Sequence, residues 1–182
     1  VREQEKREIH PNVLEHEPAL ALFVPDDNPL LFYDKIATIA TSSLRRKAQW
    51  LYRYPHHNIE NLRGNVNTRL QKLSDNSWNG AIFAAAGLER INKLPEKHLV
   101  LDWMLPAPAQ GAIVVVVRED NVALQKKLLP LHDDYTYIAT QLERDFLRAL
   151  EGGCTAPIGA FAEFKDSTSK EVCGAKMAKR LR

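Results

Sequence analysis

The sequence contains few cysteines and no long hydrophobic segment. Cys154 and Cys173 are its only cysteines, too few for a disulfide scaffold or a zinc cluster. Its longest apolar stretch, residues 81–88 counting one glycine, is far shorter than the ~20 residues that cross a bilayer. The N-terminal residues are charged and lack the apolar segment of a signal peptide. These absences predict a cytoplasmic globular protein.

An excess of charge of either sign is also missing. The chain has 25 Lys and Arg against 23 Asp and Glu, which gives a formal net charge of +2. A balance this close excludes a polycation that binds nucleic acid or membranes non-specifically. The histidines show no metal-ligand spacing, and His56-His57 is typical of a solvated turn. We therefore expect no nucleic-acid, membrane or metal partner.

Short apolar strands alternate with amphipathic helices from residue 35 onwards. This alternation at this spacing indicates an α/β domain with a largely parallel sheet, whose ligand is expected at the carboxyl ends of the strands. Strands are predicted at 36–40, 58–62, 80–84 and 99–101, and helices at 44–54, 67–73 and 86–91. The apolar face of the first helix is formed by Leu44, Ala48, Leu51 and Tyr52.

A Pro-rich segment at 105–111 interrupts this pattern. The apolar run that follows, at 112–117, predicts a fully buried strand because it does not alternate. Its neighbours are expected in a different domain, since a rigid crossover separates it from the first sheet. A long amphipathic helix is predicted at 134–150, with an apolar stripe formed by Tyr135, Ile138, Ala139, Leu142 and Phe146.

Arginines are concentrated where predicted strands lead into helices. In a parallel sheet these junctions converge on one edge, beside helix N-termini with free amide donors. Guanidinium groups and helix N-termini both suit carboxylates or phosphates. The pattern therefore favours a polyanionic small-molecule site, although each arginine alone is compatible with an ordinary surface position. The residues are Arg45, Arg46, Arg63, Arg69 and, further along the chain, Arg90.

Two loops leave alternatives open on their residues alone. Cys154 follows a helix in a loop with Gly152 and Gly153, which permit close approach of a ligand. A lone cysteine is nevertheless more often a small buried hydrophobe than a reactive thiol. As a nucleophile it would need a nearby histidine, and spacing does not place His132 there. Gln110, at the domain crossover, is compatible with a hinge, an amide in the cleft or a plain linker.

Five motifs occur in one order between residues 35 and 163. Taken together they resemble the porphobilinogen deaminases, also called hydroxymethylbilane synthases, of tetrapyrrole and heme biosynthesis. The motifs are Thr41-Ser42-Ser43-Leu44-Arg45-Arg46, Leu62-Arg63-Gly64-Asn65-Val66-Asn67-Thr68-Arg69-Leu70, Ala86-Gly87-Leu88-Glu89-Arg90, Ala109-Gln110-Gly111-Ala112 and Leu150-Glu151-Gly152-Gly153-Cys154-Thr155-Ala156-Pro157-Ile158-Gly159.

The resemblance implies a fold and a domain division. The fold is α/β: a periplasmic-binding-protein-like domain with a parallel or mixed sheet flanked by helices, plus part of an α+β C-terminal domain. Residues 1–34 would be a remnant of an N-terminal domain or a linker, and 35–108 an arginine-rich second domain. Residues 109–132 would be a crossover strand and helix returning to the first domain, and 133–182 a partial third domain with the cofactor cysteine. We expect a monomer, as is usual in the family.

The resemblance also implies a chemistry. The family is a transferase that joins four porphobilinogens head to tail, releases ammonia at each step and frees hydroxymethylbilane by hydrolysis. The growing polypyrrole chain stays on a dipyrromethane cofactor, which a thioether would link to Cys154. Arg45, Arg69 and Arg90 are expected to bind substrate carboxylates. The cofactor is expected to contact Ser43, Arg45, Arg46, Arg63, Gly64, Asn65, Arg69 and Gln110.

Parts of the family pattern are absent from this sequence. The His-Ser-x-Lys-Asp segment with the family's general-acid aspartate is missing, and Asp26 and Asp27 do not replace it. The usual Val-Gly-Gln-Gly is changed but keeps its Gln110-Gly111 pair, and the third domain is unrecognisable beyond Glu163. We therefore expect a partial, inactive chain with no catalytic residue. The alternative is a non-catalytic anion-binding module of periplasmic-binding-protein-like fold.

Overall fold

The computed structural model describes residues 6–9, 20–23, 36–96, 98–150, 157–164 and 172–178. Cys154, its two glycines, Asp26 and Asp27 lie outside these residues. The strands are β1 Lys6–Ile9, β2 Leu20–Phe23, β3 Thr38–Ala40, β4 Asn58–Glu60, β5 Gly80–Ala84, β6 His98–Val100, β7 Val115–Arg118, β8 Gly159–Phe164 and β9 Val172–Ala178. The helices are α1 Leu44–Arg53, α2 Val66–Asp75, α3 Ala85–Glu89, α4 Val122–Leu128 and α5 Asp134–Ala149, with a 3-10 turn at Leu129–Leu131.

A five-stranded mixed sheet, in the order β4-β3-β5-β2-β6, organises the first part of the chain. Strand β3 is parallel to β4 and β5, whereas β2 is antiparallel to β5 and β6. The predicted α/β class, with a parallel or mixed sheet flanked by helices, is confirmed. Two smaller antiparallel pairs, β1-β7 and β8-β9, accompany this sheet. Within the described residues, no helix is long and apolar enough to span a membrane.

Helices cover both faces of the mixed sheet. Side chains alternate across β5, so that Ile82 joins the core cluster that contains Trp50 of α1. Phe83 joins the other cluster, which contains Leu73 of α2 and Leu88 of α3. Burial on both faces explains why β5 is apolar along its length. Because α1 and α2 pack on this sheet, α1 begins beside the carboxyl end of β3 and α2 begins beside the carboxyl end of β4.

The apolar face predicted for α1 is not the face that packs on the sheet. Leu44 and Tyr52 are 55% and 77% exposed, whereas Arg45 and Gln49 are buried. The two polar side chains hydrogen-bond to the backbone of Leu105. Polar residues can occupy a buried face when their hydrogen bonds are satisfied in this way.

Strand β7 is not the fully buried strand that its apolar run predicts. Val117 is buried, but Val116 is 47% exposed and Ile113, just before the strand, is 53% exposed. In the described part of the chain β7 pairs only with β1, in an antiparallel register. A two-stranded sheet covers few side chains, so one face of β7 remains open.

Helix α5 buries a polar edge rather than its predicted apolar stripe. Thr140 and Glu143 are each 6% exposed. The Thr140 hydroxyl donates to the carbonyl of Thr136 at 2.8 Å, and the Glu143 carboxylate accepts two backbone amides. Because these groups are paired, both residues can be buried. Ala139 of the predicted apolar stripe is buried. Three other members of the stripe are exposed: Tyr135 by 38%, Ile138 by 44% and Leu142 by 41%.

Candidate anion-binding site

Two helices begin beside the carboxyl ends of parallel strands. Ser43 caps α1 by accepting a hydrogen bond from the Arg46 amide at 3.4 Å. Asn65 caps α2 in the same way, through the Thr68 amide at 2.9 Å. Neither helix has an acidic residue in its first turn. The positive end of each helix dipole is therefore not compensated by a carboxylate from the first turn of the same helix.

Gly64 makes the tight turn into α2. Its φ of +122° lies in the left-handed region that favours glycine. A Cβ at this position would lie 2.9 Å from the Thr68 Cγ2 atom. The Gly64 carbonyl accepts a hydrogen bond from the Nε of Arg69 at 2.6 Å. The turn therefore holds the Arg69 side chain back towards the start of its helix.

Arg46 lies at the centre of a cluster of three arginines, with Arg45 and Arg69. Its Nη1 donates to the carbonyl of Ile82 in β5 at 2.9 Å. Burial, and then the charges of Arg45 and Arg69, lower the pKa of Arg46 to about 10. Burial also lowers the pKa of Arg45 to about 10. Both guanidinium groups therefore remain charged at neutral pH, and the like charges repel each other.

The Arg46 side chain also contains a buried donor, its Nε atom, that makes no hydrogen bond within the described residues. A buried donor that stays unpaired costs about 1–3 kcal/mol. A bound carboxylate would accept this hydrogen bond and reduce the repulsion among the three guanidinium groups. The cluster is therefore suited to a ligand with several carboxylates.

Arg45 also has a structural contact. It is 8% exposed, and its Nη1 donates to the Leu105 carbonyl. Gln49 donates to the same carbonyl at 3.1 Å and accepts from the Leu105 amide at 2.8 Å. Together the two side chains hold the start of the Pro-rich crossover against α1. Sequence analysis missed Gln49, although its i,i+4 spacing from Arg45 places both on one helix face.

The other predicted residues lie at the surface. Arg63 is exposed, one residue before Gly64. Arg90 is exposed at the C-terminal end of α3, not at a helix N-terminus. Gln110 is exposed in the crossover turn. The described residues thus bring Arg45, Arg46 and Arg69 together, and they show no hydrogen bond from these three to Arg63, Arg90 or Gln110.

An apolar groove on the outer face of α1 does not coincide with the arginine cluster. Its volume is about 670 Å³. None of the predicted anion-binding residues lines it, and its one cationic lining residue is Lys47. We therefore place the candidate site at the arginine cluster. The groove is lined by Leu44, Lys47, Ala48, Leu51, Tyr52, Pro55 and Pro157.

Glu143 is a buried carboxylate that sequence analysis missed. One of its oxygens accepts the amide of Ala109 in the crossover at 2.5 Å, and the other accepts the amide of Ala162 in β8 at 2.7 Å. Burial raises the pKa of Glu143, against the opposing effect of these two hydrogen bonds. No sequence signal distinguishes Glu143 from the exposed Asp145 beside it, because both lie among charged residues of a helix.

The ionisation of Glu143 is expected to lower stability as the pH rises. Its pKa is higher in the folded than in the unfolded chain, so the folded chain binds more protons above the ordinary value of 4.5. The free energy of unfolding must then fall as the pH rises from 4.5 through the raised pKa. Denaturant titrations of the wild type and Glu143→Gln should show this decline only in the wild type. Asp145→Asn, an exposed control on the same helix, should decline like the wild type. Equal pH dependence in all three proteins would contradict the prediction.

Two family models match the chain. Residues 3–126 match "Porphobilinogen deaminase, dipyromethane cofactor binding domain". The chain belongs to the porphobilinogen deaminase family. Residues 137–181 match "Porphobilinogen deaminase, C-terminal domain". Within this family assignment, the first match contains every predicted contact residue from Ser43 to Gln110, and the second contains Cys154.

Curated porphobilinogen deaminases align with most of the chain. The protein of Syntrophotalea carbinolica is 42% identical over 155 residues, which are 84% of this chain and 49% of that protein. The protein of Paraburkholderia phytofirmans is 41% identical over 157 residues, 85% of this chain and 46% of its own length. The protein of Syntrophobacter fumaroxidans is 45% identical over 132 residues, which are 71% of this chain and 43% of that protein. The chain therefore spans about half the length of the curated relatives it matches.

One solved chain, from a study of glutathione import via GshT and the cystine importer TcyBC of Streptococcus mutans, is a much weaker match. It is 17% identical, with a TM-score of 0.36, and the alignment covers 82% of this chain and 64% of that one. A structural similarity at this level does not support a fold or a function for this chain. The assignment to the porphobilinogen deaminases rests on the sequence matches.

Proposed function

We propose that this chain is part of a porphobilinogen deaminase that condenses four porphobilinogens into hydroxymethylbilane with release of ammonia. The observation that carries the proposal is the buried, unpaired Nε of Arg46 between two further arginines. Each pyrrole of this pathway carries two carboxylates, so a chain of pyrroles is a polyanion. A cluster of cations that has no carboxylate partner among the described residues is electrostatically complementary to such a ligand.

The residues of the cluster fit a dipyrromethane cofactor. Arg46 would hold one carboxylate, with Arg45 and Arg69 adding positive charge, and the capped starts of α1 and α2 would face a second one near Ser43 and Asn65. The exposed residues Arg63, Gly64 and Gln110 would complete the contacts at the rim. When bound, the cofactor supplies a covalent primer for chain growth, and we assign its thioether to Cys154.

The role we assign to this chain's own residues is binding and orientation. Arg45, Arg69 and Arg90 would bind the carboxylates of incoming porphobilinogen, and Arg46 would fix the primer beside them. None of the residues assigned to the site is a proton-transfer group that could act on the amino group that leaves. We therefore propose that the chain binds its ligands but does not turn over porphobilinogen by itself.

We also propose the four-part division at 1–34, 35–108, 109–132 and 133–182. The pairing of β1 with β7 supports a crossover that returns to the N-terminal segment. The place of β2 between β5 and β6 shows that this segment also contributes to the mixed sheet. We propose further that the protein is a cytoplasmic monomer and binds neither nucleic acid nor membranes.

The intact mass of the wild-type chain tests the proposed function. The chain is produced in cells that make porphobilinogen, its mass is measured as purified, and turnover is then assayed with porphobilinogen alone. We expect its mass to exceed that of the sequence by two pyrrole units, with no formation of hydroxymethylbilane from porphobilinogen. A chain that stays unmodified would favour the non-catalytic anion-binding module. Turnover would contradict the proposed inactivity.

A further inference from the structure

Gln49 of α1 pairs with both backbone groups of one residue in the crossover. Its Oε1 accepts from the Leu105 amide at 2.8 Å, and its Nε2 donates to the Leu105 carbonyl at 3.1 Å. The backbone amide can only donate and the carbonyl can only accept, so the side-chain amide has one possible orientation. Gln49 is 8% exposed. This buried side chain therefore fixes both the position and the direction of the Leu105 backbone.

The crossover at Leu105 has no regular secondary structure to hold it. Residues 105–107 belong to no helix or strand, and the next residues include Pro106 and Pro108. Proline has no backbone N–H to donate. A side chain that supplies one donor and one acceptor therefore replaces the hydrogen bonds that a helix or sheet would have made at Leu105.

Strand β8 closes the other side of the crossover. A Cβ on Gly159 would lie 2.9 Å from the Leu105 Cβ and 3.3 Å from the Leu105 carbonyl oxygen. The Ala160 amide donates to the Pro106 carbonyl at 3.3 Å. Leu105 thus lies between α1 and β8, and it cannot move away from α1 without moving into β8.

The Leu105 carbonyl also orients Arg45. The Arg45 Nη1 donates to it, and Arg45 makes no hydrogen bond to any other described residue. A carbonyl oxygen has two lone pairs, so Gln49 and Arg45 can use one each. Their four-residue spacing places both side chains on one face of α1. The position of the Arg45 guanidinium therefore depends on where Gln49 holds Leu105.

The position of Arg45 matters to the arginine cluster. After burial, the charge of Arg45 is the next largest influence that lowers the pKa of Arg46, ahead of that of Arg69. Water screens buried charges less than exposed ones, and Arg45 is 8% exposed. A displaced Arg45 guanidinium would therefore change both the repulsion within the cluster and its attraction for an anion.

We infer that Gln49 is a positioning residue, which sets the place of the Arg45 guanidinium in the arginine cluster by fixing the Leu105 carbonyl. Gln49 is neutral and acts through Arg45, so it does not need to touch the ligand. The functional consequence rests on the proposed binding of porphobilinogen at the cluster. The link from Gln49 to Arg45 does not depend on any ligand.

The test is a double-mutant cycle with Gln49→Met and Arg45→Met. Methionine retains the length of Gln49 but removes both hydrogen bonds to Leu105. We expect Gln49→Met to weaken the binding of porphobilinogen to the unloaded chain by about tenfold, measured by isothermal titration. In the Arg45→Met background the same replacement should change the affinity by less than about twofold, because no guanidinium is left to position. An equal loss in both backgrounds would indicate a general structural role and overturn the inference.

Two further measurements need no ligand. In Gln49→Met, the Leu105 amide should exchange with solvent about tenfold faster or more. The nitrogen-15 order parameter of the Arg45 Nε should fall, because its carbonyl partner is no longer fixed. Failure of the proposed function looks different: the wild type would not bind porphobilinogen, while Leu105 exchange and Arg45 relaxation would still respond to Gln49→Met.

Gln71→Met is the matched control, because it makes the same replacement at an exposed glutamine of α2. The Gln71 Nε2 donates to the Asp75 carboxylate at 2.8 Å, within its own helix. We expect this variant to leave porphobilinogen affinity, Leu105 exchange and Arg45 relaxation unchanged. The amides of β5 should keep their exchange rates in Gln49→Met. If Gln49→Met behaves like the control, or if the β5 amides accelerate as much as Leu105, the inference is wrong.

A second variant keeps the test decisive if Gln49→Met does not fold. Gln49→Asn retains the amide but is one methylene shorter, so that it cannot bond to both Leu105 groups at the observed distances. We expect weaker porphobilinogen binding and faster Leu105 exchange in this variant too. Unchanged values of both would contradict the role of Gln49.

Discussion

Replacement of Cys154 by alanine is expected to remove the covalent cofactor completely. Alanine has no sulfur, so no thioether can form and the effect is all or none. The intact mass of purified Cys154→Ala should equal that of its sequence, under conditions in which the wild type carries two additional pyrrole units. The thermal unfolding midpoint of the unloaded chain serves to show that the variant is folded.

Cys173→Ala is the matched control, because it removes the other cysteine of the chain. Its backbone lies in β9, and none of the family motifs includes it. We expect this variant to carry the same adduct as the wild type. An adduct that persists in Cys154→Ala, or that disappears in Cys173→Ala, would refute the assignment of the cofactor to Cys154.

Replacement of Arg46 by methionine is expected to weaken the binding of porphobilinogen to the unloaded chain by about 100-fold, because without the primer a porphobilinogen can bind at the primer position that we assign to Arg46. The variant removes the charge and the unpaired Nε donor while it retains a long apolar stem. A charge-assisted hydrogen bond is the stronger kind of contact that a carboxylate can make, and here it forms in a partly buried site. Isothermal titration of both proteins with porphobilinogen measures the difference.

Arg53→Met is the control for Arg46→Met on the same helix. The Arg53 guanidinium lies over the ring of Trp103, 4.9 Å from its centroid, and is exposed. We expect its replacement to leave porphobilinogen binding unchanged. Without ligand, Arg46→Met removes the Arg46 hydrogen bond to the Ile82 carbonyl but relieves repulsion from Arg45 and Arg69, so these two effects on stability oppose each other. Equal affinities in wild type and Arg46→Met would show that the cluster is not the binding site.

Local patterns predicted most elements of the mixed sheet and its helices. The strand predicted at 80–84 coincides with β5, and the helix predicted at 44–54 ends one residue later than α1. Strand β2 was not predicted, because its four residues are too few for a clear pattern and take their place through pairing with distant strands. The hydrophobic periodicity of a segment gives no information about its pairing with distant strands.

The buried faces of the helices were predicted less well than their ends. Hydrophobic periodicity assigns apolar side chains to the interior, but Arg45, Gln49 and Glu143 are buried in their place. Each of them bonds to backbone groups that are 19 to 60 residues away along the chain. These partners exist only after folding, so the helix sequences alone could not reveal them.

The candidate site was predicted in part. Spacing at the strand-to-helix junctions grouped Arg45, Arg46 and Arg69, because parallel strands bring their carboxyl ends to one edge. The structure places the charges of Arg45 and Arg69 close enough to act on Arg46, and the role of the three residues in binding stays a prediction. Arg90 caps the C-terminal end of α3, where the helix predicted at 86–91 already places it, so the convergence of helix N-termini does not include it. The location of Cys154 relative to the cluster stays a prediction.

The hydrogen bond from Arg46 to the Ile82 carbonyl makes the central strand a reporter of site occupancy. The Ile82 side chain is fixed in the core at 2% exposure, so its carbonyl has little freedom to move when the site fills. An anion that binds the Arg46 guanidinium is therefore expected to change the strength of the hydrogen bond from Arg46 to Ile82 rather than the path of the strand. The carbonyl carbon-13 resonance of Ile82 offers a spectroscopic readout of binding that needs no label on the ligand and no turnover.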